Sequence, residues 1–226
     1  MAAAGERPGA FFGRRKGKTL RAAQDLRIRT LLPTLRIAPA LDPRRAFDPA
    51  SRALWLEIGF GGGEHLAAQA ERHPDIGFIG CEPFVNGMAK LLAVVEERHL
   101  RNVRVFDRDA TELLPQLPPA CLDRVYLLYP DPWPKRRQRK RRFVSDEALG
   151  ALARVMRPGA EFRFATDIDD YAGWVLARVL RSPDLTWTAR RADDWRKPFE
   201  GWPGTRYETK AKREGRVPSY LTFIRR

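Results

Sequence analysis

One stretch limits what this chain can fold into more than any other: LWLEIGFGGGEH, Leu54 to His65. Its apolar run ends at Ile58, and Gly59, Gly61, Gly62 and Gly63 follow before helix-forming residues resume. The pattern predicts a strand, a tight turn and a helix. Glycine allows positive φ and a close approach of backbone to a ligand, and the first turn of the helix offers unpaired N–H groups. A polar, nucleotide-like ligand suits such a place.

Two nucleotide loops share this outline, the dinucleotide fingerprint G-x-G-x-x-G and the S-adenosylmethionine loop E-x-G-x-G-x-G. Here Gly59, Gly61 and Gly63 alternate, and Glu57 precedes them. A carboxylate complements the cationic amino and sulfonium groups of S-adenosylmethionine better than it does a pyrophosphate, so the second loop is favoured.

Charge narrows the partners. Forty-two basic against 28 acidic residues give a net +14 and a sequence pI near 10.5, which points to a polyanion, nucleic acid before an anionic membrane. The 226 residues, 43% of them hydrophobic, suit one domain with a real core. Cys81 and Cys121 have apolar neighbours and no C-x-x-C partner, and His65, His73 and His99 are scattered. Neither a disulfide framework nor a metal site is expected. No signal-type segment or membrane-length apolar run is seen, so a soluble cytoplasmic protein is expected; the sequence does not fix its oligomeric state, monomer or homodimer, and no obligate protein partner is inferred.

Residues 1–48 read as a basic N-terminal extension, and residues 49–226 as the main domain. In the extension FFGRRKGK, Phe11 to Lys18, interleaves cations with two rings. It could track a phosphate backbone or be a solvated, partly disordered tail. Arg21 to Leu32 suggests a short helix, and Pro33, Pro39, Pro43 and Pro49 make the approach to the core irregular. From there strands and helices alternate. Strands are expected at Ala53–Ile58, Ile76–Glu82, Val103–Phe106, Asp123–Pro130 and Glu161–Thr166, with final ones at Leu185–Arg190 and Tyr220–Ile224. Helices are expected at Glu64–Arg72, Val85–His99, Ser145–Met156 and Asp169–Leu180, with Ser145 as N-cap and Pro158-Gly159 as terminator. The alternation implies an α/β fold on a mostly parallel sheet.

Such a sheet binds ligands beyond the carboxyl ends of its strands. Acids gather there: Glu57, Glu82, Asp109, Asp131 and Asp167 each follow or end a strand. Glu82 falls 19 residues past Gly63, near the spacing at which an acid meets ribose hydroxyls. Asp109 could meet the adenine amino group, cap the helix starting at Ala110, or both. The loop YPDPWPKRRQRKRRF, Tyr129 to Phe143, holds Asp131 between two prolines and offers Trp133 as a flat face. Every residue from Lys135 to Arg142 except Gln138 is basic, a density that suits phosphate contacts beside the chemistry.

LEIGFGGG, GCEPF, RDATELL, YPDPWPK with KRRF, ATDIDDY and TRYETKAKREG, in this order, resemble the bacterial tRNA (guanine-N7-)-methyltransferases, from about Phe11 onward. The glycine motif is common to many methyltransferases. PDPWPK with a later ATD and T-[KR]-[FY]-E is far more specific. The resemblance implies a Rossmann-like class I methyltransferase fold, a seven-stranded sheet with helices on both faces. It implies that Glu57, Glu82, Asp109 and Asp131, with Gly59 and Gly61, bind S-adenosylmethionine, Asp131 being also the catalytic position. It assigns to tRNA Lys135, the strip Arg137, Gln138, Arg139, Lys140, Arg141 and Arg142, and also Asp167, Thr205, Arg206, Tyr207 and Glu208. The implied target is a guanosine of the variable loop, commonly nucleotide 46 of tRNA. Where many members have His after PDPW this chain has Pro134, and where they have Lys-Phe it has Arg206-Tyr207.

Loss of that histidine fits the chemistry. Guanine N7 carries an in-plane lone pair and no proton, so methylation needs no general base, only alignment and carboxylates that stabilise the cationic product. Two other readings compete: a methyltransferase for protein or small molecules, which leaves the arginine run without purpose, and an RNA-binding scaffold without catalysis, against which Glu57, Glu82 and the intact glycine turn speak.

Overall fold

A computed structural model of the chain describes Gly13, residues 15–38 and residues 42–226. Phe11, Phe12 and Pro39 lie outside the described residues. Among the described residues the sheet has seven strands, β1 (Ala53–Ile58), β2 (Ile76–Cys81), β3 (Val103–Phe106), β4 (Leu122–Leu128), β5 (Met156–Thr166), β6 (Leu185–Trp187) and β7 (Ser219–Arg225), in the order β3-β2-β1-β4-β5-β7-β6. The first five run parallel, and β7 enters antiparallel between β5 and β6. Every residue of β1 and β2 is buried. Central parallel strands are covered on both faces and therefore read as continuous apolar runs.

The helices are α1 (Ala22–Thr30), α2 (Leu32–Leu35), α3 (Glu64–Arg72), α4 (Val85–Glu97), α5 (Ala110–Leu113), α6 (Asp146–Val155), α7 (Asp169–Val179), α8 (Asp193–Arg196) and α9 (Arg206–Arg213). One apolar core joins Leu54, Leu56 and Ile58 to Leu149, Leu152 and Val175 of α6 and α7. The other joins Trp55, Phe78 and Tyr126 to Leu66, Met88 and Leu91 of α3 and α4. Helices thus cover both faces, the doubly wound α/β architecture expected from the alternation of elements.

Residues of the extension dock onto this sheet. Leu32, Leu35 and Ile37 are buried, Ile37 N–H donates to Val105 O at 2.9 Å, and Arg27 Nε meets Glu96 at 2.7 Å. Gly17 N–H donates to Asn86 Oδ1 and Asn86 Nδ2 to Lys18 O, each at 2.7 Å, at the first turn of α4.

The boundaries differ at instructive places. Ser145 caps α6, its Oγ accepting from Ala148 N–H at 3.0 Å, but the helix stops at Val155, before Pro158. Pro158-Gly159 falls inside β5, between the Leu122–Met156 pair and the ladder that resumes at Arg124–Glu161. The register shift removes any ladder partner from a proline nitrogen that has no hydrogen to give.

Candidate active site

A cleft of about 1030 Å³ opens where β1, β2 and β4 end, lined among others by Gly59, Gly61, Glu82, Asp109, Asp131 and Trp133. Strand parity decides which residues reach it. Ile58, Cys81 and Leu127 face the cleft, so Glu57, one residue earlier, points to the opposite face. There Glu57 is 5% exposed, with Oε2 2.6 Å from His65 Nδ1, and His65 packs at 4.7 Å on the Tyr126 ring. Glu57 thus sits beneath the glycine loop, apart from the cleft lining.

Glu82 and Asp109 do line it, each fixed by backbone. Glu82 Oε2 accepts from Gly61 N–H at 2.8 Å and Oε1 from Phe84 N–H at 2.9 Å. Burial pushes the Glu82 carboxyl above its ordinary range, against the pull of those two bonds. Asp109 caps α5, its Oδ1 accepting from Thr111 N–H at 2.8 Å and Thr111 Oγ1 at 2.6 Å. The glycine loop beside Glu82 depends on two glycines, one its own and one in α4. Gly61 has φ +59, and a Cβ there would meet Arg206 Nη2 at 3.1 Å; a Cβ on Gly87 would meet Gly61 O at 2.1 Å.

The far lip is the segment after β4. Tyr129 and Trp133 take φ of 51° and 42°, a left-handed conformation that costs a side-chain-bearing residue about 1 kcal/mol or more. Between them Asp131 is exposed at the cleft edge. A 3-10 turn, Arg136–Arg141, follows. Its cations part ways. Lys135, Arg136 and Arg137 are exposed and Gln138 is half-buried. Lys140 and Arg141 line the cleft, with the Arg141 guanidinium 5.1 Å over the Trp133 ring. Arg139 is bound to Asp170 at 2.7 Å. Arg142 is 3% exposed: it donates to Pro132 O at 2.8 Å, pairs with Asp170, and lies over Tyr171 and Trp174 at 4.8 and 5.0 Å. The bond from Arg142 holds the Asp170 carboxyl below its ordinary range.

The third wall is the start of α9. Thr205 Oγ1 accepts from Glu208 N–H at 3.1 Å and caps the helix, and Arg206 and Tyr207 line the cleft over the glycine loop. Glu208 is 3% exposed, accepting from Trp202 Nε1 at 2.6 Å and Tyr220 O–H at 2.5 Å, and paired with Lys212. Burial raises its pKa, but the bonds from Lys212, Tyr220 and Trp202 outweigh it, and the carboxyl lies below its ordinary range. Asp167 is likewise engaged, with Arg216 Nε at 2.5 Å. So Glu82, Asp109 and Asp131 share the cleft with Lys140, Arg141, Arg142, Arg206 and Tyr207, whereas Glu57, Asp167 and Glu208 are held by neighbours outside its lining.

The cradle suits an adenosine-bearing cation in three respects: room, a loop whose Gly59, Gly61 and Gly63 hold positive φ, and carboxylates whose oxygens keep a second lone pair for a hydroxyl donor. Among the described residues no group of three or more His, Cys, Asp or Glu is placed to hold a metal ion, and no helix is long and apolar enough to cross a membrane. Sequence reasoning did not find Trp202 or Phe199, which stand in no motif, and gave no role to Asp170 within ATDIDDY; the roles of all three depend on partners distant in the chain.

Comparisons with known proteins agree with this geometry. Residues 51–219 match a family described as "Putative methyltransferase". The tRNA (guanine-N(7)-)-methyltransferase of Agrobacterium fabrum is 58% identical over 221 residues, covering 96% of this chain and 95% of its own, and that of Chelativorans sp. is 54% identical over 222 residues with the same coverage. Among solved structures the 16S rRNA methyltransferase KamB superposes with a TM-score of 0.57 at 21% identity, over 78% of this chain and 89% of its own. The precorrin-6y C5,15-methyltransferase of Geobacter metallireducens gives 0.52 at 15% identity over 93% and 94%; these two show likeness of fold alone. The full-length matches leave one assignment: this chain belongs to the tRNA (guanine-N7-)-methyltransferase family.

Proposed function

We propose that the chain transfers a methyl group from S-adenosylmethionine to N7 of a guanosine in tRNA, in the variable loop, forming N7-methylguanosine. One observation carries this reading: acids on the sheet side share one 1030 Å³ space with cations of the lip, Lys140 and Arg141, and of α9, Arg206. A cationic donor suits the first side and a polyanionic acceptor the second.

Glu82 and Asp109 would hold the adenosine part, and Gly59 and Gly61 would let the donor lie against backbone. When bound, S-adenosylmethionine supplies an electrophilic sulfonium methyl. The chain's task is then alignment and charge. Alignment of two reactants is worth roughly 7–11 kcal/mol in favourable cases. Asp131, stiffened by Pro130 and Pro132, places a carboxylate where the purine becomes cationic, and this favours the product side of the reaction. No histidine lines the cleft among the described residues, which accords with an acceptor atom that has no proton to lose.

The exposed cations Lys135, Arg136 and Arg137 would meet phosphates, and Trp133 would offer its ring to the extruded purine. The test is transfer of labelled methyl to unmodified tRNA with the labelled atom mapped. Label at guanine N7 is expected. Label at another base atom sinks the N7 proposal, and label on protein or on small molecules alone sinks the RNA reading.

A further inference from the structure

Trp202 belongs to no motif, yet it stands between the helix that begins at the glycine loop and the helix that carries Arg206 and Tyr207. Its indole N–H donates to Glu208 at 2.6 Å, and its ring faces that of His65 at 5.0 Å and 41°. Phe199 and Tyr220 close on it edge-on at 5.6 and 5.8 Å. His65 in turn is held by Glu57 at 2.6 Å. Further along α3, Gln69 Nε2 donates to Gly201 O at 3.1 Å, and Arg72 donates to the same carbonyl. His65, Gln69 and Arg72 recur at i, i+4 and i+7, so one face of α3 grips Gly201 and Trp202.

On the other side Glu208 ties Trp202 to α9 and, through Tyr220, to β7. Both of its carboxylate oxygens are engaged, and at 3% exposure it offers an RNA base almost nothing to touch. The cofactor loop and the arm above it are therefore joined by a buried chain of contacts. That chain is short enough to fix Arg206 and Tyr207 over Gly61, where a Cβ would meet Arg206 Nη2 at 3.1 Å.

We propose that Trp202 is a positioning residue for methyl transfer, setting Arg206 and Tyr207 over the cofactor loop, and that Glu208 acts on the reaction through Trp202 and α9 instead of contacting the RNA. The inference rests on the tRNA-methylating activity proposed above. A misplacement on the order of 1 Å at reacting groups costs about 10²-fold in rate, so loss of the link falls on kcat more than on binding.

The experiment compares the full chain with W202F, E208A, the W202F/E208A pair and R72A, reading kcat and KM with tRNA and the affinity for S-adenosylhomocysteine by calorimetry. W202F keeps a ring against His65 but has no indole donor. It should lower kcat about tenfold, with KM for tRNA and cofactor affinity changed less than about threefold. The double variant should fall no lower than E208A alone, because the two side chains act as one unit. R72A, an exposed change that leaves the core intact, should lower kcat about threefold. Wild-type kcat in W202F, or losses that multiply in the double variant, overturns the proposal; if W202F does not fold, wild-type kcat in R72A overturns it alone. A wild-type enzyme that leaves tRNA unlabelled refutes the activity itself, whereas an active wild type with unaffected variants refutes only this coupling.

Discussion

The two sides of the cleft are held by opposite means. On the sheet side Glu82 and Asp109 accept hydrogen bonds from backbone N–H groups at 2.8 to 2.9 Å, so their positions are set by the ends of strands. On the lip the anchor runs through long side chains, Arg139 and Arg142 both on Asp170 of α7 and Arg142 also on Pro132 O, while Arg136 and Arg137 stand in solvent. A small ligand of fixed shape rewards the first kind of wall, since preorganised acceptors need no rearrangement on binding. A polyanion of variable path rewards the second, where exposed cations can follow phosphates.

Asp131 sits where the two sides meet, so its removal should produce the largest effect. D131A is expected to lower kcat by about 10²-fold or more, roughly 3 kcal/mol, with weaker cofactor binding; a variant with unchanged turnover would break the assignment of the junction. Next comes the anchor. R142A removes a buried cation with three kinds of partner and should cost about 2–3 kcal/mol of stability, read as a Tm lower by roughly 5–10 °C. If R142A keeps its Tm while its RNA affinity falls, Arg142 belongs with the exposed cations instead.

G61A tests the sheet side. The alanine must hold φ near +59 and press on Arg206, and calorimetry with S-adenosylhomocysteine should show affinity about tenfold weaker, near 1.4 kcal/mol. Glu208 gives a pH readout. Its carboxyl is depressed in the folded state, so its contribution is complete above the unfolded value, about 4.3, and is lost as pH falls through the lower folded value. E208Q should flatten the fall of Tm on the acid side of about pH 4.3, and an unchanged acid limb would remove Glu208 from the list of groups that matter there. The smallest effect belongs to R137A: no change in Tm, and a slope of log affinity for tRNA against log salt shallower by about 0.7–0.9. A steeper loss there would put Arg137 among the anchors.

Legibility in the sequence followed the range of the interactions. β1, α3 and β3 run over the residues expected because apolar runs, glycines and helix formers are local signals, and the Ser145 and Asp109 caps are contacts within three residues. Arg142 could not be told from its neighbours, because the run KRRQRKRR carries no internal mark of which arginine turns inward. That is decided by Asp170, Tyr171 and Trp174, about thirty residues later. Glu57 shows a related limit. Its parity places it opposite Ile58, but in a strand buried on both faces parity does not say which face holds the cleft, and only the packing of α3 against Tyr126 does. Glu208 was legible as part of a motif but not as a buried hub, since Trp202 and Tyr220 flank it without any periodic relation.

The antiparallel insertion of β7 between β5 and β6 has a bearing on synthesis. The ribosome delivers the glycine loop, Glu82, Asp109 and the proline-framed Asp131 well before residues 219–225 emerge, and α9 is tied to that strand through Glu208 and Tyr220. The wall that Arg206 and Tyr207 add to the cleft therefore depends on a strand made after it. A chain released before residue 219 would lack that tie, and with it one of the bonds that hold Arg206 and Tyr207 over Gly61.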